Sequence, residues 1–120
     1  MRIYTSYFAN WRKFPLGAQA IGITRFMPPY WKNPNWDSLA PSKELLRQYR
    51  NGDIDEFVFR VKYFDELEAR KMTPSLVIKE LNKFGKDVVL CCYEAPGEFC
   101  HRHLLAEWLS CEATVTELGI

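Results

Sequence analysis

The segment Cys91-Cys92-Tyr93-Glu94-Ala95-Pro96-Gly97-Glu98-Phe99-Cys100-His101-Arg102-His103 concentrates the side chains able to do chemistry. It holds three of the four cysteines, both histidines, two carboxylates and an arginine. Three readings compete. In the first, Cys100 is a nucleophile: a helix start and adjacent cationic groups lower a thiol pKa, and His101 and Arg102 follow it directly. Glu94 or His101 would then act as acid or base. Neighbouring residues diverge around a helix, so His101 need not face Cys100, and His103 is the alternative base. The competing view is a small buried thiol packed on a sheet. In the second reading the segment binds an anion, with Arg102 as a bidentate fork beside free helix amides. The alternative is Arg102 as a fixed brace on Glu94, Glu98 or a sheet-end carbonyl. Cysteine phosphatase and rhodanese loops need an arginine six positions after the thiol, and six after Cys92 stands Glu98. The third reading, a zinc site, has suitable ligand types but no C-x2-C pair. Adjacent cysteines on a strand also point to opposite faces. No metal or other cofactor is therefore expected.

Positioning these groups requires a strand before the segment and a helix after it. Asp87 to Tyr93 is a nearly continuous apolar run, suited to a central strand covered on both faces. Phe99 to Ser110 has helical spacing, with Leu104, Leu105, Trp108 and Leu109 for packing. Upstream, Arg2–Phe8 and Gln19–Thr24 read as strands. Ser42 reads as the N-cap of a helix ending at Asn51-Gly52, and Asp53 as the cap of a second helix over Ile54–Leu67. Thr73-Pro74 opens a third that Gly85 closes. Thr114–Leu118 is a last strand. Strands alternating with helices predict a three-layer α/β domain, with a mostly parallel sheet of about four to five strands and helices on both faces. Ligands of such sheets bind beyond the carboxyl ends of the strands.

The chain has 120 residues, enough for one domain spanning 1–120 and too few for two ordinary ones. With 48% hydrophobic and 26% charged residues, the composition is globular rather than disordered or collagenous. No apolar stretch has membrane-helix length and no secretory leader opens the chain, so a cytoplasmic protein with reduced cysteines and no membrane partner is expected. The net charge of +1 hides an asymmetry. Residues 1–50 carry eight basic against two acidic side chains, and residues 51–120 carry eight against thirteen. No acid precedes Asp37. Such an imbalance suits an anionic partner, a small molecule or a nucleic acid.

The long segment Phe26–Pro41 contains four prolines that forbid a regular helix. In and before it, Arg12, Lys13, Arg25 and Lys32 interleave with Trp11, Phe14, Tyr30, Trp31 and Trp36. Aromatic faces with cations suit stacking on bases and contact with phosphates. They equally suit covering a sheet edge, or burial in a homodimer.

The stretches Gly22-Ile23-Thr24-Arg25-Phe26-Met27-Pro28, Leu39-Ala40-Pro41-Ser42-Lys43-Glu44-Leu45-Leu46, Val88-Val89-Leu90-Cys91-Cys92-Tyr93-Glu94 and Cys100-His101-Arg102-His103 resemble the DUF488 family, a domain of unknown function. The resemblance covers most of the chain. It implies a small α/β domain and site positions at Arg25, Pro28, Glu94, Cys100, His101 and Arg102, with Ser6 near a further small polar position. Relatives carry Asp before the arginine of the second strand, where this chain has Ile23 and Thr24, which leaves Glu94 as the main acid. Together these readings predict a strand-end pocket that takes a phosphate-bearing ligand. Arg25 and Arg102 would hold the anion, with Ser6, Tyr30 and Trp31 contributing to the ligand surface and Cys100, His101 and Glu94 available for catalysis. The alternatives are a non-catalytic interaction domain braced by Cys-His-Arg, and a thiol enzyme using Cys100.

Overall fold

A computed structural model describes residues 1–94 and 99–118. Four strands, β1 (Ile3–Tyr7), β2 (Gln19–Gly22), β3 (Val88–Cys92) and β4 (Val115–Glu117), form one parallel sheet in the order β2-β3-β1-β4. The run Val88-Val89-Leu90-Cys91-Cys92 is buried throughout, as a strand covered on both faces must be. Its alternation sends Val88, Leu90 and Cys92 to one face and Val89 and Cys91 to the other.

The helices α1 (Lys43–Arg50), α2 (Glu56–Ala69), α3 (Pro74–Asn82) and α4 (His101–Leu109) contribute Leu45, Phe59, Tyr63, Leu67, Val77, Leu81, Leu105 and Leu109 to the larger core, on the Val88 face. The opposite face is covered by the 3-10 helix Phe8–Lys13 and by Trp31. The three-layer α/β fold is thus the expected one, with the second layer thinner and aromatic. Among the described residues no helix is long and apolar enough to cross a membrane.

Capping follows the sequence at two helices. Ser42 Oγ accepts from the Leu45 amide at 3.1 Å and Thr73 Oγ1 from the Leu76 amide at 3.1 Å, with Pro74 in the first turn. At α2 the cap is Asp55, accepting from the Val58 amide at 2.9 Å, rather than Asp53. Asp53 is instead held by its amide on the Gln48 carbonyl, in the turn that closes α1.

Two tethers shape the loop before α1. At the end of β2, Gly22 pairs with the backbone of Asn35, and a Cβ at position 22 would collide with the Asn35 amide oxygen. Asn35 Nδ2 then donates to the Thr24 carbonyl at 2.7 Å and fixes the turn into Arg25. From the other side, α2 clamps the loop. The Tyr63 hydroxyl donates to the Leu39 carbonyl at 2.6 Å, Arg70 donates to the Ser38 and Ala40 carbonyls, and Glu66 accepts from the Ser42 amide at 2.8 Å.

Tyr63→Phe keeps the ring and leaves the buried Leu39 carbonyl without its donor. We expect a loss of about 1–2 kcal/mol in urea unfolding at unchanged m value. Unaltered stability would show that this clamp is not fastened by Tyr63.

Candidate strand-end site

Beyond the carboxyl ends of β2 and β3, between the last turn of α1 and the first turn of α4, lie two adjoining hollows of about 90 and 160 Å³. Leu46, Arg50, Glu94 and His101 border both. Thr24, Arg25, Phe26, Ala40, Pro41 and Tyr93 complete the smaller, and Tyr49, Phe59, Phe99 and Cys100 the larger. An apolar groove of about 400 Å³ lies elsewhere, along Ile21, Trp36 and Phe84. It is larger but contains no cysteine or histidine, and the chemistry collects at the strand ends.

The structure brings Arg25, Glu94, Cys100 and His101 together. Arg25 is aimed by the clamped loop, its Nε donating to the Pro41 carbonyl at 2.9 Å. Cys100 is the N-cap residue of α4, and its sulfur is within bonding distance of that of Cys92, whereas the sequence predicts reduced cysteines throughout; the fold brings the end of β3 and the start of α4 together. The Cα atoms of the two cysteines are 7.4 Å apart. His101 is buried, and its Nε2 lies 2.6 Å from the Ile23 carbonyl. A carbonyl can only accept, so the ring proton sits on Nε2. Nδ1 therefore keeps its lone pair, 3.8 Å from Cys100 Sγ. Burial pushes the His101 pKa down to about 4, against the opposing bond to Ile23, so the ring is neutral at neutral pH. Sequence position alone left open whether His101 faces Cys100, and it does. His103 is directed elsewhere, with its Nδ1 4.0 Å from Glu117.

The other named residues stand apart from the hollows. Arg102 is fully enclosed. Its Nε and Nη2 form a fork on Glu117 at 3.1 and 3.0 Å, and its Nη1 reaches Cys92 Sγ at 2.9 Å and the Glu94 carbonyl. These four hydrogen bonds all go to protein, so this guanidinium ties β4, β3 and α4 together instead of presenting itself to a ligand. Ser6 is buried within β1, its Oγ accepting from Asn10 at 3.1 Å. Trp31 is only 9% exposed, packed edge-on against Phe8 at 4.6 Å with its indole N–H on the Pro34 carbonyl. Tyr30 is 52% exposed. Of the turn residues, Ala95 to Glu98 lie outside the described residues.

Arg50 is the site residue that sequence reasoning passed over. The signal was available: it follows Leu46 by four positions, so it shares that residue's face of α1. Among the described residues neither Arg50 nor Arg25 makes an ion pair with a carboxylate.

A parallel α/β sheet with a cysteine–histidine pair and two arginines at its strand ends defines the class. The chain belongs to the DUF488 family: the model of DUF488-N3a, described as the active DUF488-N3 subclade, matches residues 17–113. That span includes every pocket residue and ends before Glu117. No curated protein and no solved structure matches the chain.

Glu117→Ala leaves the Arg102 charge enclosed without its counter-ion. We expect a loss of about 3–5 kcal/mol in chemical unfolding, partly recovered in the double variant Arg102→Met/Glu117→Leu. A cost below about 1 kcal/mol would remove Arg102 from its bracing role. A second expectation concerns Cys91, on the opposite face of β3. Burial raises its thiol to about 12, so the thiolate is absent at pH 8. Iodoacetamide should label exposed Cys111 in the native protein and reach Cys91 only in denaturant, as read by peptide mass.

Proposed function

We propose that the strand-end pocket binds a phosphate-bearing ligand, a nucleotide or the end of a nucleic acid. The observation that carries this reading is the convergence of Arg25 and Arg50 on one pocket, both without a carboxylate partner among the described residues. Two guanidinium groups from different elements grip an anion by charge-assisted hydrogen bonds. Arg102 is spent on Glu117, so Arg50 takes the place first assigned to it. The hollows have the size of a phosphate group rather than a whole nucleotide. The rest of the ligand would lie over Phe26 and Tyr93, aromatic rings at the rim that are both substantially exposed. His101 and Glu94, which border both hollows, are the groups able to act on it.

Titration with nucleoside mono- and triphosphates and a short single-stranded DNA, at two salt concentrations, tests the reading. Binding should weaken with salt. Arg25→Met and Arg50→Met should each lower affinity by about tenfold or more while leaving the unfolding midpoint near that of the parent protein. No binding of any of these at low salt, or unchanged affinity in both variants, would refute it.

A further inference from the structure

We infer that Cys92, Cys100 and His101, with Glu94 closing the fourth position, form a zinc site at the floor of the strand-end pocket. Sequence spacing argued against metal because there is no C-x2-C pair and adjacent cysteines diverge. The fold answers both points. Cys91 turns to the opposite face of the sheet, and the converging pair is Cys92, at the end of β3, with Cys100, at the start of α4.

Four observations carry the inference. One sulfur each from Cys92 and Cys100 and one carboxylate oxygen of Glu94 lie within 4.8 Å of one another. The His101 Nδ1 lies 3.8 Å from Cys100 Sγ. In a tetrahedral zinc site, with Zn–S near 2.3 Å and Zn–N near 2.0–2.1 Å, the sulfur–nitrogen edge is about 3.6 Å. The His101 Nε2–H is committed to the Ile23 carbonyl, which is how metal-binding histidines are held in one tautomer and one orientation. The Cα atoms of the two cysteines stand 7.4 Å apart. Disulfides ordinarily span about 4.4–6.8 Å, so the wider backbone spacing leaves room for the two sulfurs, which here lie in contact, to turn apart around an ion in the reduced protein.

The surroundings agree in charge. Arg102 donates to Cys92 Sγ at 2.9 Å, and Glu117 balances its charge against that of the ion. Two soft thiolates with an imidazole select zinc over magnesium or calcium. Binding releases the two thiol protons to solvent, so affinity should rise with pH. Glu94 is the most exposed of the ligands and faces the pocket, so it is the one that can yield its position to water or to an entering anion.

The test is metal content, which is independent of any anion. Untagged protein, reduced and incubated with zinc, then desalted, should retain one zinc per chain by plasma mass spectrometry. Cobalt(II) should give the thiolate charge-transfer band and the intense visible bands of tetrahedral coordination. Cys92→Ser and Cys100→Ser should lose stoichiometric metal, Glu94→Gln should weaken binding by about tenfold or more, and Cys91→Ser should keep it. Should the serine variants fail to fold, the parent protein still decides. Bound metal shields Cys92 and Cys100 from native alkylation until a chelator is added. The inference is overturned if the reduced parent protein retains no zinc and gives no cobalt thiolate band. It is also overturned if protein alkylated at lysis carries a Cys92–Cys100 disulfide.

Discussion

The buried guanidinium of Arg102 is the constraint on which the site depends. A charge with no access to water is tolerated only when every donor is met and a counter-ion is present. Here Glu117 of β4 supplies the counter-ion, and the Cys92 sulfur and Glu94 carbonyl both accept from Nη1. One side chain at the start of α4 therefore fixes the last strand, the end of the central strand and the residue that follows it. The relative placement of Cys92, Glu94, Cys100 and His101 is a consequence of that tie. The bond from His101 to the Ile23 carbonyl adds the exit of β2 to the same frame.

The other wall is held from a different direction. Helix α2 is the longest element, and its inner face both fills the core and fastens the loop through Tyr63, Glu66 and Arg70. Pro41, at the end of that loop, accepts from Arg25. The path from core packing to a pocket cation thus runs through main-chain carbonyls of a proline-rich segment. Such a segment has few internal hydrogen bonds of its own, so its shape is borrowed from the helix beneath it.

Local signals in the sequence were sufficient for the elements. The unbroken apolar run of β3, the Ser42 and Thr73 caps and the Pro74 helix start are decided within a few residues, and the structure has them where they were expected. The Asp53 cap failed because the competing Asp55 lies two residues on and sequence offers no way to rank the two. The fate of charged and aromatic side chains was less legible, since it is decided by partners far away in the chain. Arg102 has the composition of an anion-binding arginine, and only the return of β4 beside β1 places Glu117 against it. Trp31 has the look of a stacking surface, and the position of Phe8 turns it inward. Arg50 went unnoticed because its importance comes from where α1 ends relative to the sheet.

The division of charge between the two halves of the chain acquires a structural meaning. Most arginines outside the pocket are neutralised where they stand: Arg47 by Glu44, Arg60 by Glu107, Arg70 by Glu66 and Arg102 by Glu117. Three of these pairs draw their acid from the acidic half, and none of them engages Arg25 or Arg50. Among the described residues Arg25 and Arg50 are therefore left without an ion pair at the strand ends. The basic half supplies the two pocket arginines and the acidic half supplies the cysteines, the histidine and Glu94. A site assembled across that division has cations at its rim and soft, electron-rich ligands at its floor.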